Sequence, residues 1–128
     1  MLFSAHQLSC IRSSRVLFEQ VSLEISAGEL WQIAGRNGAG KSSLLRILAG
    51  LAEPEDGYLC YQQQPLSQCA DEFAADLCFI GHLSGVQPQL TALENLAFWR
   101  ACFALNPADD WALLAQLGLA GLEDIPCQ

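Results

Sequence analysis

Gly35-Arg36-Asn37-Gly38-Ala39-Gly40-Lys41-Ser42 is the stretch that decides the fold, and it fits the pattern G-x-x-x-x-G-K-[ST] of a phosphate-binding loop. Glycine allows left-handed backbone, so successive N–H groups can point toward a bound phosphate. In this pattern Lys41 reaches the β- and γ-phosphates and the Ser42 hydroxyl holds Mg²⁺. The stretch predicts a nucleotide phosphate site that extends into Ser43 at the start of the following helix.

The residues on either side of the loop support this interpretation. Leu30-Trp31-Gln32-Ile33-Ala34 is an apolar run typical of a short buried strand, and 43–49 shows the pattern of a helix that ends at Gly50. The alternative is a chance match on a glycine-rich turn. The order strand, loop, helix favours the phosphate site.

Further strands are predicted before and after the loop. Residues 2–11 and 16–26 read as two antiparallel strands, the second with apolar and polar residues in alternation. An acidic turn over 53–57 leads into a short strand at 58–61, and 77–80 is a continuous apolar run typical of a buried strand.

Two helices are predicted in the last third of the chain. Thr91 and Glu94 form the pattern of a capping box, which opens a helix that continues to about Leu105. Apolar residues surround this helix almost completely, so it is either buried on most sides or docked onto a partner. Asn106-Pro107 is expected to cap and start a second helix that ends at Gly118.

Composition restricts the class of protein. The chain has 128 residues, 52% of them hydrophobic, and its net charge of −8 argues against broad binding to nucleic acid. No signal peptide or membrane span is recognised, which predicts a cytosolic protein. The six cysteines form no C-x-x-C pair and are expected to be reduced, small core residues.

These elements, in this order, resemble the first half of an ATP-binding-cassette domain. The resemblance is carried by the phosphate loop, by Val21-Ser22-Leu23-Glu24-Ile25-Ser26-Ala27-Gly28-Glu29 and by Leu90-Thr91-Ala92-Leu93-Glu94-Asn95-Leu96. Phe79-Ile80-Gly81-His82 and residues 118–126 are similar to the subgroup that serves haem export in cytochrome c maturation.

The resemblance implies the α/β fold of P-loop nucleoside triphosphate hydrolases of the ABC type. An antiparallel β subdomain and a parallel core sheet would occupy 1–87, and a helical subdomain would start within 88–128. The ligands implied are ATP and Mg²⁺. The position that stacks on adenine falls near Arg12, which is either a base contact or a solvated side chain.

His82 stands where the family usually has a glutamine that touches Mg²⁺ and the attacking water. A neutral imidazole can accept a hydrogen bond from water, so His82 is either catalytic with Lys41 or purely structural. The family's signature loop, its Asp-Glu strand and its switch histidine are expected after Gln128. The chain is thus expected to be an N-terminal portion that does not hydrolyse ATP alone.

The resemblance also implies partners. A second copy would form a head-to-tail dimer, and integral membrane subunits of the exporter would bind the ATPase at the cytoplasmic face of the inner membrane. Hydrolysis would drive haem export or haem-chaperone release. The alternatives are a cassette for another exported substrate, a cassette without a membrane partner, or a nucleotide-binding remnant without hydrolysis.

Overall fold

Residues 1–83, 85–105 and 109–127 are described by a computed structural model, in which the chain divides into two units, Met1–Phe79 and Ile80–Gln128. This division lies near the functional boundary expected after residue 87, which remains a prediction about the roles of the two parts. Within the described ranges no helix is long and apolar enough to cross a membrane.

The first unit is built on a four-stranded antiparallel sheet in the order β2-β1-β3-β4. Its elements are β1 (Phe3–Arg12), β2 (Arg15–Ile25), α1 (Lys41–Leu48), β3 (Asp56–Tyr61), β4 (Gln64–Pro65), a 3₁₀ turn (Leu66–Gln68) and α2 (Ala70–Asp76). The predicted strands at 2–11, 16–26 and 58–61 and the helix after the phosphate loop are therefore confirmed. Ser13 and Ser14 both have positive φ and form the two-residue turn of the β1–β2 hairpin.

A bulge in β1 sets which side chains reach the core. The pairing register with β2 shifts between Ala5 and Leu8, and Gln7 in between has φ = 50°. Because a bulge inserts one residue, Phe3 and Ala5 before it and Leu8 and Cys10 after it are all buried in the same cluster. The sequence pattern did not predict this bulge.

One hydrophobic cluster holds the first unit together. Leu44 and Ile47 of α1, three residues apart on one face, pack with β1, with Leu59 of β3 and with Phe73 of α2. The Phe73 ring stacks on Phe3 at a centroid distance of 5.5 Å. Helix α2 was missed in the sequence because its seven residues are too few to show a periodic apolar face.

The predicted core strands at 30–34 and 77–80 are wrong for this structure. Neither segment is a strand, and Leu30 is 98% exposed and Ile80 88% exposed. A strand requires hydrogen bonds to a neighbouring strand, and neither segment has a ladder partner among the described residues. Both apolar runs therefore stay unpaired. Of the predicted architecture, the antiparallel sheet is present among the described residues and the parallel core sheet is not.

The second unit contains, within its described residues, the helices α3 (Ala92–Cys102) and α4 (Asp110–Gln116). The capping box is confirmed: Thr91 Oγ1 accepts from Glu94 N at 3.2 Å and Glu94 Oε2 accepts from Thr91 N at 2.8 Å. Helix α3 ends three residues earlier than expected. Asp109 caps α4, and the expected cap Asn106-Pro107 lies outside the described residues. Gly118, with φ = 75°, follows α4 as predicted.

Burial of α3 on most sides, one of the two alternatives predicted for this helix, is not found among the described residues of its unit. Phe98 is 48% exposed, Trp99 38% and Phe103 53%, and Cys102 is exposed as well. The buried residue of α3 is polar Asn95. Arg100 pairs with Asp110 at the start of α4.

All six cysteines are free, and they fall into distinct classes of exposure. Cys10 and Cys69 are buried, while Cys78 and Cys102 are exposed. The prediction that the cysteines are core residues is confirmed for Cys10 and Cys69 and is wrong for Cys78 and Cys102.

Candidate nucleotide site

The phosphate loop obtains its shape from two left-handed glycines. Gly38 has φ = 81° and Gly40 has φ = 97°, which is backbone that other residues adopt only under strain. Gly40 is the N-cap of α1 and makes no side-chain cap. A Cβ there would also lie 3.1 Å from Leu17 Cβ and 3.2 Å from the Phe18 ring, because the loop packs directly on β2.

The start of α1 presents unpaired backbone donors. The helix's first hydrogen bond runs from Leu44 N to Gly40 O at 2.9 Å. The N–H groups of Lys41, Ser42 and Ser43 therefore have no acceptor within the helix, as at every helix start. Such donors, together with the positive end of the helix, bind phosphate.

Lys41 lies folded across the loop. Its ammonium donates to the carbonyl oxygens of Gly35 and of Arg36, the latter at 3.0 Å. The loop itself is closed by a bond from Ala39 N to Arg36 O at 3.1 Å. A phosphate in this loop would offer Lys41 charged acceptors in place of neutral carbonyls, which strengthens each hydrogen bond. The Ser42 hydroxyl is exposed and carries an oxygen of the kind that Mg²⁺ prefers as a ligand.

A cavity of ≈ 470 Å³ adjoins the loop. It is lined by Arg15, Leu17, Arg36, Asn37, Gly38 and Ala39. Arg12, the expected adenine contact, is not among these residues, and Arg15 was missed in the sequence. The hairpin register pairs Arg12 with Arg15, so a count along β1 alone could not decide which arginine faces the loop. The contact of Arg12 with adenine stays a prediction.

Positive charge is concentrated around this site. The chain has only six lysines and arginines and a net charge of −8. Four of the six lie in the β1–β2 hairpin and the loop: Arg12, Arg15, Arg36 and Lys41. An anionic ligand is therefore attracted to this part of an otherwise acidic protein.

Glu29 fixes the turn that leads from β2 into the loop. Its Oε2 accepts from Ser26 N at 2.9 Å and from Trp31 Nε1 at 3.0 Å. The hydrogen bond from the Ser26 backbone, followed by that from Trp31, lowers the pKa of Glu29 because both favour the charged carboxylate.

His82 belongs to the second unit, where it is exposed in the loop before α3. The phosphate loop belongs to the first unit, so the structure describes the two candidate catalytic residues Lys41 and His82 separately. The role of His82 remains a prediction.

Comparison with known proteins is consistent with this geometry. Residues 18–128 match the ABC transporter family, which is most of the chain. The chain belongs to the ABC transporter family. Membership implies nucleotide binding, and the glycines, the α1 donors and Lys41 fit a nucleoside triphosphate with Mg²⁺.

Two curated relatives are both named cytochrome c biogenesis ATP-binding export protein CcmA. The one from Idiomarina loihiensis is 52% identical over 96% of this chain and 56% of its own length. The one from Shewanella oneidensis is 48% identical over 96% of this chain and 57% of its own length. The chain thus spans a little over half the length of the curated relatives it matches, and the resemblance to their subgroup is confirmed.

Solved structures confirm the fold class. An ATP-binding subunit of an ABC transporter superposes with a TM-score of 0.79 at 23% identity, over 97% of this chain and 53% of that one. An ATP-binding cassette of an ABC transporter in its ADP conformation superposes with a TM-score of 0.73 at 18% identity. The match covers 98% of this chain and 57% of that one.

Proposed function

We propose that this chain is the nucleotide-binding portion of the ATPase subunit of a membrane exporter complex. In the complete protein, ATP hydrolysis is coupled to haem export or haem-chaperone release in cytochrome c biogenesis. The phosphate loop supports this proposal most directly, since Gly38 and Gly40 have left-handed backbone and the Lys41 ammonium lies against loop carbonyls that phosphate oxygens can replace. The names of the two curated relatives, which refer to cytochrome c biogenesis and export, support the pathway.

Each residue of the loop has a distinct task in this proposal. Backbone N–H groups of 38–43 surround the phosphates, Lys41 neutralises charge that develops on the γ-phosphate, and Ser42 holds Mg²⁺. Bound Mg²⁺ would supply further charge neutralisation of the phosphates. His82 would orient the attacking water. Arg12 is proposed as the base contact, with 1–87 as the nucleotide-binding part and 88–128 as the start of the helical part.

The remaining length of the relatives is proposed to supply the signature loop, the Asp-Glu strand and the switch histidine, so that this chain alone does not hydrolyse ATP. The partners proposed are a second copy, in a head-to-tail dimer, and integral membrane subunits at the cytoplasmic face of the inner membrane. Nucleic acid is not proposed as a partner because the net charge is −8.

The decisive experiment replaces Lys41 by alanine in the full-length protein, where the change should also abolish hydrolysis. We expect ATP to bind about 2–4 kcal/mol more weakly, since a charge-assisted contact to phosphate is lost. Calorimetric titration of ATP with Mg²⁺ measures this change. The matched control is Arg46→Ala, which removes a cation from the last turn of the same helix. Equal affinity in the two variants would show that the loop is not the phosphate site.

A second experiment concerns the proposed membrane partner. Phe98 packs edge-on to the Trp99 ring and Phe103 stacks on it, at centroid distances of 5.9 and 5.6 Å, and both remain about half exposed. Exposed aromatic side chains are frequent contact residues of interfaces. We propose that these two rings contact the membrane subunits.

Alanine at Phe98 or Phe103 in the full-length protein should reduce co-purification with the membrane subunits and leave ATP affinity unchanged. Leu117→Ala is the control, because Leu117 is an exposed apolar residue elsewhere in the same unit. Parallel loss of partner binding and ATP binding would mean that the rings only stabilise the fold.

A further inference from the structure

A row of side chains on α3 holds the loop that follows His82. Thr91, Asn95 and Trp99 are four residues apart, so they lie on the same face of the helix. Asn95 is 5% exposed and is the buried polar residue of this helix. A buried amide is costly unless it is hydrogen-bonded, so its partners show what it does.

The Asn95 carboxamide pairs with Gln87 as a neighbouring strand would. Its Oδ1 accepts from Gln87 N at 2.7 Å and its Nδ2 donates to Gln87 O at 3.1 Å. Nδ2 also lies 3.3 Å from Leu90 O and 3.0 Å from Thr91 O. One side chain thus satisfies several backbone groups of residues 85–90, which form no helix or strand.

A second segment of the chain meets the loop at the same place. Cys127 N donates to Leu90 O at 3.0 Å, and Thr91 forms an isolated antiparallel bridge with Pro126. Cys127 Sγ lies 3.7 Å from Asn95 Nδ2. The stretches 87–90 and 126–127 are therefore joined to each other around Asn95.

Trp99 fastens the same loop closer to His82. Its Nε1 donates to Gly85 O at 2.9 Å. A Cβ at Gly85 would lie 2.5 Å from Trp99 Cζ2, so the indole packs against the backbone at a distance that only glycine permits. The loop is held on α3 at Gly85 and again at Gln87.

We propose that Asn95 is a positioning residue that fixes the segment following His82 and joins it to residues 126–127, so that the two segments are displaced together. Asn95 acts through the backbone of Gln87 and Leu90 and contacts no nucleotide. The inference rests on the proposed function only in so far as His82 acts in hydrolysis. The joining of the segments can be measured independently.

Amide hydrogen exchange in the full-length protein tests whether the two segments are joined. Asn95→Leu keeps the size of the side chain and removes its hydrogen bonds, so exchange should become at least about tenfold faster at Gln87 N and also at Cys127 N. Ala101→Ser, on an exposed position of α3, is the matched control and should leave both rates unchanged. If the Cys127 amide of Asn95→Leu exchanges at the wild-type rate, the proposal that Asn95 joins the two segments is wrong.

Asn95→Asp provides a second variant in case the leucine variant does not fold. An ionised aspartate can accept from Gln87 N and cannot donate to the carbonyls, whereas a protonated one can donate. Burial raises the pKa of such a carboxyl. The excess exchange at Cys127 relative to wild type should shrink on going from about pH 8 to about pH 5. An excess that is independent of pH would contradict the role of the donor.

In the full-length ATPase, Asn95→Leu should lower kcat for ATP hydrolysis at least about tenfold and leave the affinity for ATP within about twofold. Weakened ATP binding would overturn the positioning role. Failure of the proposed function is recognised differently: Lys41→Ala would then bind ATP normally, whatever the exchange at Cys127.

Discussion

Single residues determine how closely parts of the first unit can approach one another, and Gly57 is the clearest case. It has φ = 94°, and a Cβ there would lie 2.5 Å from His6 O and 2.6 Å from Gln7 O. Gly57→Ala should lower the free energy of unfolding by at least about 2 kcal/mol, because backbone must move in addition to the strain. Urea unfolding measures this.

Gly28 provides the matched comparison for Gly57. Its φ of 83° is equally left-handed, and nothing lies within 4 Å of its Cβ position. Gly28→Ala should therefore cost only the conformational term of about 1 kcal/mol. If both variants lose the same stability, the close contact of Gly57 with β1 contributes nothing.

Glu29 gives a pH dependence whose sign follows from its hydrogen bonds. The bonds from Ser26 and Trp31 lower its pKa in the folded protein. Its contribution to stability is therefore present above the pKa of the unfolded chain and is lost as the pH falls through the lower folded value. Glu29→Gln should differ from wild type at pH 7 and resemble it at about pH 3, in urea unfolding at each pH. An equal difference at both pH values would contradict the assignment.

At the scale of elements, the start of α3 is the boundary that the sequence defined best. A capping box consists of local hydrogen bonds between residues three apart, so Thr91 and Glu94 carry the whole signal. Thr91→Ala should lower the free energy of unfolding of this unit by about 1 kcal/mol, and Thr91→Ser should retain most of it. Helix content followed by circular dichroism during heating tests the pair; equal losses would rule out the hydroxyl.

The elements that could not be predicted are those that depend on distant residues. The left-handed backbone of Gly38 and Gly40 follows from a local sequence pattern and could therefore be predicted. The side chain that lines the adjoining cavity depends on the register between β1 and β2, so Arg15 was missed. For the same reason the periodicity of α3 did not show that Asn95, and not an aromatic residue, is its buried side chain.

For the whole molecule, the strand prediction failed at 30–34 and 77–80 because pairing is not a property of one segment. Leu30, Ile80 and Leu83 are between 88% and 98% exposed. Unpaired backbone N–H and C=O groups in such apolar segments can form hydrogen bonds with other chains. The purified chain of 128 residues should therefore self-associate and bind hydrophobic dyes, as light scattering and dye fluorescence would show. A sharp, reversible melt of a monomer would contradict this.

The distribution of thiols has a practical consequence for anyone who handles this protein. Cys78 and Cys102 are exposed and should be alkylated faster than Cys10 and Cys69, which are shielded. Air oxidation will therefore link molecules through the exposed pair and produce covalent dimers on a non-reducing gel that reflect storage and not assembly. Conversely, the rate at which Cys10 and Cys69 are alkylated reports how often the first unit opens, and this measurement needs no introduced label.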